Sequence, residues 1–133
     1  MTISAESIQD FLHQRNVFAV VGASKDPQKY GHKVYRDLRA GGYEVYPVNP
    51  RATEILGDRC YPALKDLPVT PDVVDIVVPP QVTQEIVRAC HEHGIRKVWM
   101  QPGSESEDAI AFCQAKGIAV VHSVCVMVER VRR

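Results

Sequence analysis

The sequence carries no net charge. Sixteen basic and sixteen acidic residues cancel, so the charge balance advertises neither nucleic acid nor an anionic membrane surface as a partner. It also lacks the roughly 20-residue apolar run that a membrane helix needs. The longest apolar stretch, residues 73–80, is broken by Asp75. The N-terminal MTISAESIQDFLHQRN has neither a basic start nor an apolar centre, which is not the pattern of a secretory signal. Cysteine is sparse and scattered: Cys60, Cys90, Cys113 and Cys125 include no C-x-x-C pair, and they read as reduced, mostly buried thiols. CHEHG at 90–94 is no better as a metal site. On a helix, His91 and His93 point to different faces, and Cys90 with His93 supplies only two ligands at suitable spacing. These absences leave an ordinary soluble, cytoplasmic protein, and its 133 residues suit one domain spanning 1–133.

What is present is an alternation of apolar, Val- and Ile-rich runs with amphipathic helical patterns. This predicts an α/β fold whose mostly parallel five-stranded sheet is covered by helices on both faces. Strands are expected at 17–21, 43–48, 73–78, 97–100 and 118–121. The first helix follows Ser4 as a cap and carries the stripe Ile8, Phe11, Leu12 up to Asn16. A second, over 29–40, repeats Tyr30, Val34, Leu38 and stops at Gly41-Gly42. A third, over 82–93, ends at Gly94. SESE at 104–107 reads as a capping box opening a fourth helix at Ser104 that ends at Gly117. Residues 51–71, rich in proline, read as a long connection with one short helical stretch. The C-terminal SVCVMVERVRR fits a short helix or an edge strand.

The first strand runs into VVGASKDPQKYG at 20–31. A strand that ends in glycine and leads into a helix offers free backbone N–H groups and the positive end of a helix dipole, which suits a phosphate. Gly22 allows the turn, with Ala23 beside it. Ser24 stands where a second glycine would be, and Gly31 comes nine residues after Gly22 instead of five. Lys25, Lys29 and Lys33 add charge, unless they are simply a solvated helix face. At the end of the second strand, YPVNPRA, the carboxylate that would hold NAD ribose hydroxyls is missing. Val48, Asn49, Pro50 and Arg51 occupy that place, and Arg51 is a candidate partner for a phosphate on the ribose, as in NADP or CoA, or else a residue that caps or pairs locally. Val78, Pro79 and Pro80 end the third strand as an apolar wall, or simply as a strand terminator. Gln101, Pro102 and Gly103 end the fourth, facing the same crevice.

In this order, VVGASKDPQKYGHKV, GYEVYPVNP, EILGDRCYPALKDLP, VDIVVPP, KVWMQPGS and AKGIAVVHSVCVM resemble the CoA-binding domain family from about Ile8 to Glu129. The chain is similar to its small single-domain members and, more distantly, to the N-terminal domain of the succinyl-CoA synthetase alpha subunit. The resemblance implies a Rossmann-like, three-layer fold with coenzyme A at the carboxyl edge of the sheet. The pyrophosphate is expected near Gly22, Ala23 and Ser24, with Lys25 or Lys33 adding charge. The adenosine end is expected near Val48, Asn49, Pro50 and Arg51, with Val78, Pro79, Pro80, Gln101 and Gly103 lining the rest. Where small members commonly read aspartate-arginine-cysteine, this chain has His122-Ser123-Val124-Cys125, so a role for that arginine does not carry over. The ligase machinery of larger relatives lies in domains for which this chain has no length.

The function expected is therefore that of a CoA or acyl-CoA binding protein, more a binder than an enzyme, with no catalytic and no metal-ligating residues assigned. The alternative is a small NADP-dependent oxidoreductase, for which Tyr30, His32 and His122 are the available proton donors. A third class is acyl transfer with Cys125 as nucleophile and His122 as base. A homodimer is compatible with the helix-rich surface, although no seam is visible in the sequence.

Overall fold

The computed structural model describes residues 5–132. Its elements in chain order are α1 (Ala5–Phe11), β1 (Phe18–Val21), α2 (Tyr30–Ala40), β2 (Val45–Val48), β3 (Glu54–Ile55), β4 (Asp58–Arg59), β5 (Val73–Ile76), α3 (Pro80–Glu92), β6 (Lys97–Met100), α4 (Glu107–Ala115), β7 (Ala119–His122) and α5 (Val126–Val131). Five strands form one parallel sheet in the order β2-β1-β5-β6-β7. This is a Rossmann-like α/β architecture, and the chain reverses its direction of travel across the sheet between β1 and β5. Open parallel sheets bind ligands at the carboxyl end of that switch.

Alternate residues of each strand serve opposite faces, as the twofold strand period requires. Phe18, Val20, Val73, Trp99 and Val121 join α1, α2 and α5 on one side. Ala19, Val21, Val74, Ile76, Val98 and Met100 join α3 and α4 on the other. Because both faces are covered, the strands are apolar throughout. The strands are one to two residues shorter than the sequence suggests at several ends. β5 stops at Ile76 because the Val78 N–H leaves the ladder for Ser104 Oγ at 3.1 Å.

Three expectations are corrected. Ser106, not Ser104, caps α4: its Oγ accepts from the Ala109 N–H at 3.2 Å. Ser104 is buried, and its carbonyl accepts from the Thr83 hydroxyl at 2.7 Å, so SESE is no capping box. α3 begins at Pro80, not at Val82, because proline at the first helical position forfeits an N–H that has no partner there anyway. The segment at 51–71 contains a small antiparallel hairpin, β3 with β4. Leu56 and Gly57 both have positive φ, at 53° and 82°, which makes its two-residue turn of the primed kind that matches strand twist. Asp58 straps the hairpin to α2: it accepts from the Tyr35 hydroxyl and pairs with Arg39 at 2.9 Å.

Of the two options for the C-terminus, the helix is observed. α5 is tied back to α2 by two hydrogen bonds from Arg130 to Asp37, at 2.8 and 3.0 Å. Ser4, the expected first cap, lies outside the described residues. All four cysteines are free thiols; Cys60, Cys90 and Cys113 are buried and Cys125 is half-buried. Burial pushes the Cys90 and Cys113 thiols up to about 12 and about 11, which keeps them protonated and inert. Among the described residues no helix is long and apolar enough to cross a membrane.

Candidate functional site

The carboxyl edge is organised around two glycines. Gly22 has φ of 99°, and a Cβ there would lie 2.0 Å from the Val77 carbonyl oxygen, so the turn after β1 can press against the end of β5 only without a side chain. At Gly31 a Cβ would lie 2.0 Å from the Gly22 carbonyl oxygen. Gly31 thus seats the start of α2 directly on the turn, which is the packing task of the third glycine in the shorter dinucleotide fingerprint. The longer spacing leaves residues 25–29 exposed, looping outward. The Asp26 N–H donates to Ser24 Oγ at 3.1 Å, and Asp26 in turn accepts from the Gln28 N–H at 2.9 Å.

The backbone of this turn is polarised. The Ala23 carbonyl is occupied by Asn49 Nδ2 at 2.8 Å, and the Ser24 carbonyl by His32 Nδ1 at 2.8 Å. A carbonyl only accepts, so the His32 ring carries its proton on Nδ1. With both carbonyls turned into the protein, the N–H groups of Ala23, Ser24 and Lys25 have no acceptor among the described residues. Vacant amides at a strand-to-helix turn are groups of the kind that can accept an anion.

Lys25, Lys33 and Arg51 are exposed, and no acidic side chain among the described residues pairs with them. Local pairing of Arg51, one of the two readings of that residue, is thus not observed. Asn49 is less a free side chain than a strut: besides holding Ala23 it accepts from the Arg51 N–H at 2.9 Å. Val48 is buried, and its carbonyl accepts from the Gly22 N–H at 2.9 Å, while Pro50 is exposed beside it. Val78 is half-buried, and its Cγ1 lies 2.9 Å from where a Gly22 Cβ would stand. Pro79 and Pro80 are exposed at the start of α3. The structure therefore brings the ends of β1, β2 and β5 together.

The end of β6 is different. Gln101 is fully buried: its Nε2 donates to Asp75 Oδ1 at 2.6 Å, and its Oε1 accepts from the Tyr30 hydroxyl at 3.0 Å and from the Val126 N–H at 3.2 Å. Gly103 is exposed with open space around it, and its N–H is taken by Glu105 at 2.8 Å. Asp75, weighed in the sequence only as a break in an apolar run, sits fully buried in β5, with no partner for Oδ2 among the described residues. Burial, opposed only by the Gln101 hydrogen bond, raises its pKa to about 7. The signal that could have found it is one carboxylate inside VVDIVV. The Tyr30 hydroxyl also lies 2.8 Å from Cys125 Sγ, whereas the His122 ring turns to Ser123 at 2.8 Å. The structure thus gives Cys125 a tyrosine neighbour and not the histidine base considered for acyl transfer.

Two concavities lie away from this edge. One of about 190 Å³ is lined by Leu64, Lys65, Pro71, His93 and Ile95, and one of about 310 Å³ lies between α3 and α4. Neither contains the vacant amides or any residue of the glycine turn.

Residues 16–130 match the family model described as "CoA binding domain". The chain belongs to the CoA-binding domain family. Among its relatives, the alpha subunit of an acetate–CoA ligase (ADP-forming) II from Pyrococcus furiosus is 37% identical over 67% of this chain, and the chain spans 20% of that subunit's length. YneT of Bacillus subtilis is 29% identical over 94% of this chain and 93% of its own length. A solved structure of a protein from Pyrococcus horikoshii OT3 superposes with a TM-score of 0.93 at 35% identity, covering 98% of this chain and 92% of the other. This CoA-binding domain is therefore similar both to a segment of a long ligase subunit and to proteins of about its own size.

Proposed function

We propose that the carboxyl edge of the sheet holds coenzyme A or an acyl-CoA, and that the protein binds and presents this ligand without performing ligase chemistry itself. The observation that carries the reading is the run of vacant N–H groups at Ala23, Ser24 and Lys25, with the neighbouring carbonyls held inward by Asn49 and His32. Such a cradle suits a pyrophosphate, and Lys25 and Lys33 supply unpaired positive charge beside it. Arg51, free at the end of β2, suits the ribose phosphate of CoA, and the lack of a carboxylate there disfavours a ribose whose hydroxyls are both free. Val78, Pro79 and Pro80 offer an apolar flank for the ligand's uncharged parts. Gln101, turned inward, supports the edge without reaching the ligand.

The test is calorimetric titration of the ligand-stripped protein with CoA, with NADP as the control. Saturable uptake of CoA without an NADP response supports the reading. Uptake of NADP alone overturns it and turns Arg51 into a reader of the 2′-phosphate.

A further inference from the structure

We propose that Asp75 is a proton-linked partner of the turn after β1: when CoA places its phosphates on that turn, the buried carboxyl group behind it takes up a proton. The inference rests on the reading that the carboxyl edge takes CoA, and it adds how that site responds to pH.

Position comes first. In the register of β1 with β5, Asp75 stands opposite Val20, two residues before Gly22 on one strand and two before Val77 on the other. The Val77 carbonyl is the group against which Gly22 is pressed. With about 3.3 Å of rise per residue and about 4.8 Å between strands, the Asp75 Cα lies roughly 8 Å from that of Gly22. The vacant amides begin at the next residue, Ala23. Asp75 shares its sheet face with its register partners Val20 and Trp99, and α2 packs on that face as it leaves the same turn. A phosphate on the turn and the carboxyl group behind it therefore stand about 10 Å apart, with packed protein between them.

The second observation is how little serves the carboxyl group. It is fully buried in a strand whose other residues, Val73, Val74 and Ile76, are apolar. It accepts one hydrogen bond, from Gln101 Nε2 at 2.6 Å, and Oδ2 has no partner among the described residues. No cationic side chain among them pairs with it. Beside it β1 presents Val20, and β6 presents Trp99 and Gln101. Beyond Gln101 stand the Tyr30 hydroxyl of α2, the Cys125 thiol and the Val126 N–H of α5. Glu105, which bears on Tyr30, is itself an acid, and the buried acid of α5, Glu129, stands 3.5 Å from Arg132.

A carboxylate kept in the interior without a cation costs stability, and such groups concentrate where binding or chemistry uses them. Burial has already brought the Asp75 pKa to about 7, so a modest further influence shifts its proton occupancy near neutral pH. A bound phosphate is such an influence. Two like charges about 10 Å apart within a protein repel strongly enough to raise the proton affinity of the carboxylate about tenfold.

The sign follows from which state holds the proton. Well below pH 7 Asp75 is protonated with or without ligand and does not oppose it. As pH rises through 7 the free protein loses this proton first, while the complex keeps it for about one pH unit longer. Affinity for CoA therefore falls by up to about tenfold and then levels off.

The experiment is calorimetric titration of the full chain with CoA at pH 7.5 in Pipes, Hepes and Tris, whose different ionisation heats count the protons exchanged. Wild type should take up about half a proton per CoA more than Asp75→Asn, which keeps an acceptor for Gln101 but carries no charge. Between pH 6 and 9 the wild-type Kd should rise about eightfold relative to that of the variant. Protonation of His32 or of the ligand's own phosphates occurs in both proteins and cancels in that ratio. Wild type alone carries a second readout: the carbonyl stretch of a protonated carboxyl group, followed by infrared difference spectroscopy at pH 7.5, should grow when CoA is added. CoA binding with equal proton uptake and one shared pH profile in the two proteins, or with no growth of the carboxyl band, overturns the linkage and leaves the CoA reading standing. Absence of CoA uptake by wild type at every pH overturns both.

Discussion

The side-chain amide of Asn49 donates to the carbonyl of Ala23 at 2.8 Å, tying the end of β2 to the turn after β1. That bond decides which way the turn's peptide faces. With the carbonyl held inward, the following N–H groups are left to the outside, so in the proposed phosphate site Asn49 acts through the turn and need not touch the phosphate.

Asn49→Ala should therefore lower CoA affinity by about tenfold while costing the fold only about 1 kcal/mol, the usual net worth of one hydrogen bond. Calorimetry and urea unfolding on the same variant separate the two effects. Unchanged affinity would mean that the Ala23 peptide keeps its orientation without help.

Arg51 is exposed and pairs with no acidic side chain among the described residues, so Arg51→Ala should leave the melting temperature within about a degree. Its effect belongs to the ligand. The variant should lose about tenfold in affinity for CoA and much less for dephospho-CoA, which lacks the ribose phosphate, and the difference should shrink in high salt. Equal losses for the two ligands would place Arg51 elsewhere.

Gly31→Ala would ordinarily favour a helix by up to about 1 kcal/mol. Here the added Cβ meets the backbone oxygen of Gly22 at 2.0 Å, and backbone has no rotamer with which to yield. A net loss of about 3 kcal/mol is expected, visible as a fall of about 10 °C in a thermal melt. A neutral result would mean that the turn after β1 can lift away from α2.

Asp75 makes stability depend on pH with a definite sign. Its folded-state pKa, about 7, lies above the unfolded value of 3.8, so between those limits the folded protein binds the extra proton. Stability is therefore highest at the acid end of this window and is lost as pH rises through 7, by up to about 4 kcal/mol. Asp75→Asn removes the charge and should be the more stable protein at pH 8, the two converging near pH 4 in urea titrations. A wild type that gains stability relative to Asp75→Asn on going from pH 5 to 8 would contradict the burial argument.

The sheet was legible because its signals are local. Val- and Ile-rich runs separated by helical periodicity define a strand or helix by their own residues, and all five parallel strands appear where the runs stand. The hairpin at Glu54–Ile55 and Asp58–Arg59 escaped, since two-residue strands have no period to detect and only Leu56-Gly57 marked the turn. The cap of α4 escaped for another reason. Ser104 and Ser106 are equivalent on paper, and only packing decides that the first is drawn inside by Val78 and Thr83.

The sequence by itself determined the layered fold, the glycine turn at the end of β1 and the absence of a carboxylate at the end of β2, because each is written in neighbouring residues. Only the tertiary structure decided that Asn49 and His32 orient that turn, that Gln101 faces inward, and that Asp75, Gln101, Tyr30 and Cys125 form one hydrogen-bonded chain. Those partners stand 8 to 95 residues apart, and hydrogen bonds act over about 3 Å. Pairing over such separations is fixed by how the helices seat on the sheet, and no local pattern carries it.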